Sequence, residues 1–369
     1  MRKRIMNKRN KVYFVLAFMA TVLAFGCQSA SNKNDSKSTQ PLDHPTDTLV
    51  ATVITEKVKH DSDDPAIWIN SEQVEKSLII GTDKDSDGAL YAFNLQGKIV
   101  KRVEGIKRPN NVDIAYGFQL NGKSVDIAVL TERETNKIRV FTLPDLSPVD
   151  NGGIDVFVGE EERAPMGIAL YTRPRDKQVF AVVGRKSGPA VGYLWQYRLR
   201  DNGAGSVSGD LVRKFGKYSG KKEIEAIAVD NELGYIYYSD EQTGIRKYMA
   251  DPAVNNNEEL ALFGQSGFSK DHEGIAIYKT GAETGYILVS NQGSHTFMVY
   301  PREGTKANKN EYPLLAEIPV SAMETDGADA SSVNLGAQFP EGILVAMSTN
   351  RTFHVFDWRK VNERIISKK

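Results

Sequence analysis

Cysteine is nearly absent: the 369 residues contain one, Cys27. A single thiol excludes an intramolecular disulfide and any zinc site built on cysteines. No apolar run reaches the ~18–20 residues needed to cross a bilayer as a helix. After residue 48 no long 3.6-residue apolar period is found, which argues against a helical architecture. Net charge is also missing, with 47 basic and 47 acidic residues, but the balance hides a split. The first 26 residues carry six basic groups (Arg2, Lys3, Arg4, Lys8, Arg9, Lys11) and no acid, which leaves 41 basic against 47 acidic groups on residues 27–369. A net-acidic body argues against a nucleic-acid binder held by a broad basic surface. Hydrophobic residues at 40% and aromatics at 9% suffice for a packed core, so the chain is not a disordered one.

The basic head runs into Val12–Phe25, fourteen mostly apolar residues, and then Gly26 and Cys27. A charged head, a short apolar stretch and a small residue form an export signal. Gln28–Asp47, rich in Ser, Asn, Lys and Asp, reads as a flexible tether. The arrangement resembles a bacterial lipoprotein signal, in which Cys27 becomes the lipidated first residue. The expected organisation is a signal over 1–26, a tether over 27–48 and one domain over 49–369. The expected location is outside the cytoplasm, anchored by lipid alone and facing the periplasm or cell surface, with plain secretion as the alternative. The domain is expected to be a monomer.

Within 49–369 a short alternation of aromatic or aliphatic residues recurs six times: Leu90–Phe93, Ile138–Phe141, Leu194–Tyr197, Ile245–Tyr248, Phe297–Tyr300 and Phe353–Phe356. Successive last aromatics are 48, 56, 51, 52 and 56 residues apart. Each copy follows a strand-like segment (Leu78–Gly81, Val125–Leu130, Val179–Val183, Gly234–Tyr238, Gly285–Val289, Gly342–Ala346). Before that stands another: Pro65–Ile69, Val112–Ala115, Gly167–Leu170, Ala226–Val229, Gly274–Ile277 and Gly327–Ala330. A more variable fourth strand is expected after each aromatic segment. Four strands per repeat, six times over, predict an all-β chain folded as a six-bladed β-propeller. A sandwich does not explain near-equal spacings, and a β-helix wants a shorter period.

In a propeller the first strand of each blade lines the central channel, so side chains at its start and after the second strand reach a channel mouth. The starts offer Asp63, Asp64, Asn111 with Asp113, Met166, Glu225, Glu273 and Asp326. The second strands end at Asp83 and Lys84, Glu132 and Arg133, Arg185 and Lys186, Asp240 and Glu241, Gln292, and Asn350. Clustered carboxylates raise one another's pKa. Hard divalent cations relieve the repulsion, and oxygen ligands in this number suit Ca²⁺. Cations come from the first three blades and acids concentrate in the last three, a polarity that suits a phosphate held between metal and Lys/Arg.

The strings Asp63–Trp68, Asn110–Ile114, Phe118–Lys123, Asp271–Ile275, Ser290–Gly293 and Thr325–Gly327 together resemble the β-propeller phytase family. The resemblance runs from about residue 50 to the end, with the motifs in order. It implies a Ca²⁺-dependent phosphomonoesterase acting on myo-inositol hexakisphosphate, with several bound ions, one phosphate in a cleavage site and a neighbour in an affinity site. It also implies that Glu225, Glu241, Glu273, Gln292 and Asp326 are calcium ligands or water-positioning groups, together with Asp63 or Asp64. Lys84 and Arg133 would bind phosphate, and Arg185 stands where the family usually has a lysine for phosphate. The chain departs from the pattern at Asp85, Met166, His60, Val320 and Asn350. The last two remove expected calcium ligands.

Two other readings are kept: a non-catalytic propeller that binds a polyanion or a protein partner, and a calcium-dependent lactonase-type hydrolase. Against the second, Lys84, Arg133 and Arg185 have no purpose around a neutral substrate. The string Asp83–Gly88 has the spacing of a calcium loop but is expected to be a hairpin turn, because strands flank it. His272 is expected to be an exposed turn residue, and Trp68, Trp195 and Trp358 are expected to pack between blades from strands.

Overall fold

The computed structural model describes residues 47–367. The expected export signal over 1–26, Cys27 and residues 28–46 of the expected tether lie outside the described residues. The remainder is a ring of six antiparallel sheets. Blade one consists of Ser62–Trp68, Leu78–Asp83, Gly88–Asn94 and Ile99–Ile106. Blade two has Pro109–Leu120, Lys123–Glu132, Lys137–Leu143 and Ile154–Asp155, with Ser147–Pro148 also pairing on its third strand. Blade three has Pro165–Thr172, Val179–Arg185, Val191–Asp201 and Val207–Lys217. Blade four has Ile227–Asp230, Tyr235–Asp240, Gly244–Met249 and Ala261–Phe263. Blade five has His272–Lys279, Gly285–Asn291, Thr296–Pro301 and Ala316–Pro319. The aromatic alternations form the third strand of every blade, and the segments before them form the second and first. The first strand of each blade packs against the first strands of its two neighbours, which closes the ring.

Blade six departs from the expected order. Ala328–Ser331, Ile343–Ser348 and Thr352–Asp357 supply three strands, and the fourth is Val53–Ile54, paired antiparallel on Thr352–Asp357. The chain after Asp357 instead forms a helix, Trp358–Ser367. Trp358, Val361 and Ile365 lie on one helical face and are buried, and the Trp358 ring stacks on Tyr278 with centroids 3.3 Å apart. Trp358 is therefore a helical residue, in place of the strand residue expected from the repeat. Trp68 and Trp195 pack between blades one and two and between blades two and three, from strands.

Hydrophobic clusters fill every seam between neighbouring blades. Alternation along a strand decides which seam a side chain enters. In blade one, Ile67 and Ile79 face blade six, while Ala66 and Ile80 face blade two. Both faces are covered, so the inner strands are buried throughout, and period-2 patterning separates two apolar faces instead of apolar from polar.

At the hub, three carboxylates staple consecutive first strands. Asp329 accepts the Ile67 N–H at 2.8 Å, Asp64 the Val112 N–H at 2.9 Å and Asp113 the Leu170 N–H at 2.6 Å. They line a central cavity of about 410 Å³. Elsewhere the hub needs glycine: a Cβ on Gly167 would stand 1.9 Å from the Glu225 carbonyl oxygen.

Candidate active site

Pairing between first and second strands is interrupted at the same place in four blades, between Ser62 and Pro65, Pro109 and Val112, Pro165 and Ile168, and His272 and Ile275. Each interruption holds two residues: Asp63 and Asp64, Asn110 and Asn111, Met166 and Gly167, Glu273 and Gly274. Glu225 with Ala226 and Asp326 with Gly327 occupy the corresponding place just ahead of the first strands of blades four and six. Such bulges re-aim side chains. Asp64, Asn111, Ala226 and Gly274, each the second of its pair, line the central cavity. The first members turn to the mouth above it. Second-strand hydroxyls fix some of their backbones: Thr131 donates to the Met166 carbonyl at 2.6 Å and Ser239 to the Glu273 carbonyl at 3.0 Å.

Two linked groups of acids result. In one, Lys84 Nζ is in contact with Asp63 Oδ1, lies 3.2 Å from Asp326 Oδ2 and 3.9 Å from Glu225 Oε1. Asn110 Nδ2 donates to Glu225 Oε1 at 2.6 Å and to Asp63 Oδ2 at 3.2 Å. Gln292 Nε2 donates to Asp326 Oδ1 at 2.6 Å. In the other group, carboxylate oxygens of Glu225, Glu241 and Glu273 lie within 4.8 Å of one another, and all three residues are buried. Lys222 Nζ approaches this group, 2.8 Å from Glu241 Oε2 and 2.5 Å from Asp271 Oδ2. Glu225 belongs to both.

Burial dominates the electrostatics. It pushes the Glu241 carboxyl up to about 8 against the opposing pull of Lys222, and it raises Glu273 well above the usual range, with Glu241 and Glu225 adding repulsion. Asp326 is pushed up to about 6, again chiefly by burial. Glu241 Oε1 and Glu273 Oε2 are buried with no hydrogen-bond partner among the described residues. Buried carboxylates short of positive partners, all oxygen donors, fit a hard divalent cation such as Ca²⁺.

Arg133 stands at the rim, one Nη2 against the sulfur of Met166, with Nε buried and without a partner among the described residues. Burial disfavours its charged form, and the carboxylates of Glu225 and Asp63 favour it. Asp64 stands apart from Asp63: its carboxylate serves as the hub staple described above. Arg185 also stands apart. It is 1% exposed, lies over the rings of Phe157, Tyr193 and Trp195, and bonds Glu160 Oε2 at 3.2 Å and the Glu162 carbonyl at 3.0 Å.

Several residues were not foreseen in their places. Asn110 is the blade-two member of the repeated pairs, where Asn111 was expected; aligning all six pairs by their following apolar residue would have found it. Lys222 lies in a loop three residues before Glu225, as Lys107, Arg163 and Lys270 lie three residues before Asn110, Met166 and Glu273; that recurrence was the signal that could have found it. His272 is not an exposed turn residue: it opens an inner strand, is buried, stacks on Phe268 at 3.8 Å and has Nε2 2.7 Å from the Gly264 carbonyl. Val320 is buried in the seam of blades five and six and bridges Leu49, so its position serves packing. The Asp83–Gly88 string is a hairpin turn in which Asp83 accepts from the Asp61 N–H at 2.7 Å and Asp87 pairs with Lys59 at 2.6 Å.

Among solved structures the chain is similar to Kuenenia stuttgartiensis hydrazine synthase (TM-score 0.46, 14% identity, 79% of this chain and 83% of that one) and to the WD40 β-propeller domain of Doa1 (TM-score 0.44, 11% identity, 79% and 77%). Such distant likenesses carry no argument about this chain. A 3-phytase of Bacillus subtilis (strain 168) is 30% identical over 325 residues, which cover 82% of this chain and 81% of that protein. The family described as Phytase matches residues 11–367. This chain belongs to the phytase family.

Proposed function

We propose that the protein is a phosphoric monoester hydrolase acting on phytate and related inositol phosphates, with Ca²⁺ held by Glu225, Glu241 and Glu273 and supported by Asp63, Asp326 and Gln292. The observation that carries this reading is the convergence of three buried glutamates within 4.8 Å of one another next to Lys84 and Arg133. Bound Ca²⁺ would neutralise phosphate charge and lower the pKa of a coordinated water. The protein's own part is placement. Lys84 and the guanidinium of Arg133, both beside Glu225 and Asp63, are the donors for phosphate oxygens, and Asn110 holds Glu225 in register with Asp63. The shared carboxylate of Glu225 couples the metal-binding acids to the lysine that meets the substrate. Arg185, paired with Glu160, reaches a phosphate only if that pair opens.

Phosphate release from phytate, with Ca²⁺ or with chelator, tests the reading. Release is expected only with Ca²⁺, and E225Q should lower it at least about 100-fold while the variant stays folded. Binding of phytate without release under either condition would favour the non-catalytic alternative, for which the buried, apolar Val320 is the supporting observation. Export, lipidation at Cys27 and a monomeric state complete the proposal. C27A should appear in the soluble fraction and lose fatty-acid labelling, and sedimentation should give a single-chain mass.

A further inference from the structure

Lys222 has no role in the function proposed above, although its ammonium contacts the acids of the site. It lies in the connection between Val207–Lys217 and Ile227–Asp230, and that connection is pinned. Ser219 bonds the Asp240 carboxylate through its N–H at 3.0 Å and its hydroxyl at 2.7 Å, and Lys221 Nζ donates to the Gln242 carbonyl at 2.9 Å. The backbone is therefore fixed beside the acids while the four-carbon stem of Lys222 stays free to swing. Its ammonium meets carboxylates from two other blades: Glu241 at 2.8 Å, Asp271 at 2.5 Å and Glu273 at 3.9 Å. Those side chains are at most 10% exposed, whereas Lys222 is 34% exposed, so it enters the cluster from the solvent side and has a way out.

Six carboxylates (Asp63, Glu225, Glu241, Asp271, Glu273, Asp326) converge here, and two ammonium groups contact them. Lys84 is 14% exposed and wedged between Asp63 and Asp326. Among the described residues Lys222 is the one cation on the Glu241 and Glu273 half, where Glu241 Oε1 and Glu273 Oε2 have no hydrogen-bond partner. An ammonium and a hard dication seek the same oxygens and cannot share them at contact distance.

We infer that Lys222 is a tethered counter-cation that competes with divalent metal for Glu241, Asp271 and Glu273, holding the acidic wall together when metal is scarce and withdrawing when metal binds. The inference rests on the metal-ion reading of this site. It makes Lys222 a positioning residue that sets the calcium concentration at which the site fills.

The test is calorimetric titration of Ca²⁺ into wild type, K222A and K222R, with thermal unfolding of each in chelator and in saturating Ca²⁺. K222A should bind Ca²⁺ about tenfold more tightly at one site, the factor that corresponds to loss of a competing contact of about 1.4 kcal/mol. It should be less stable than wild type in chelator and equal to it in saturating Ca²⁺. K222R, which keeps the charge, should retain the weaker affinity of wild type. Equal or weaker binding by K222A overturns the inference, as does a stability loss that persists in saturating Ca²⁺, which marks an ordinary structural ion pair; both leave the metal reading standing. Failure of wild type and K222A alike to bind Ca²⁺ overturns the inference together with that reading.

Discussion

Single side chains at this mouth are held where they would be unstable alone. Glu241 and Glu273 are carboxyl groups whose affinity for a proton is raised by burial, with the neighbouring charge of Glu225 adding to both. In the absence of metal the native state keeps protons that the unfolded chain releases. Native protein therefore binds more protons than unfolded protein between the ordinary value of 4.5 and about 8, and stability must fall as pH rises through that window. The expected outcome in chelator is a melting temperature that drops steadily from about pH 5 to pH 8. Added Ca²⁺ should reverse the trend, because metal needs the ionised carboxylates and binds them better at higher pH. A melting temperature that is flat with pH in chelator would mean the acids are already neutralised by the lysines. Asn110 belongs to the same scale: two donated hydrogen bonds align Glu225 with Asp63, a role that composition does not reveal.

Elements decide which way those side chains aim. The repeated bulge at the start of the first strand sends one residue to the mouth and the next into the hub, and close approach of adjacent blades there forces small residues. Gly167 is the clearest instance, because the obstacle to a Cβ is the backbone of Glu225 itself. G167A should destabilise the fold by roughly 1–3 kcal/mol through overpacking. It should also lower phosphate release, because relief of the clash displaces Glu225. Thermal unfolding and a substrate titration check both, and unchanged kinetics would show that the hub and the mouth are mechanically independent. The terminal helix teaches a different lesson. Three apolar residues over eight positions are too few to stand out beside six strand repeats, and the helix forms because Trp358, Val361 and Ile365 complete a seam assembled from remote strands.

At the scale of the whole molecule, closure is what brings opposite walls face to face. Acids of blades four to six meet Asp63 and Lys84 of blade one because the ring closes, and Val53–Ile54 completes blade six at that closure. The closing segment is held further by the Thr52 N–H to Val355 carbonyl bond at 2.8 Å and by the Thr55 N–H to Phe353 carbonyl bond at 3.0 Å. A chain beginning at Lys57 would expose the edge of Thr352–Asp357 and the seam beneath it. It is expected to aggregate, or to melt well below the intact chain, and to lose Ca²⁺ affinity; solubility, circular dichroism and calcium titration would show this. A soluble variant with unchanged melting would mean that packing of the six seams closes the ring without the strand.

The repeat period, the strand segments and the six-bladed ring were legible in the amino-acid order because burial on both faces imposes alternation on every inner strand. The acids of blades four to six were legible because their places recur with the period. Only the tertiary structure decided which of Asp63 and Asp64 faces the mouth, because a bulge reverses side-chain direction between neighbours and leaves no mark in composition. Only it placed Arg185 in an aromatic pocket against Glu160, and Lys222 among the acids. Loop residues meet their partners across blades, and contacts between residues distant in the chain are fixed by how the ring closes.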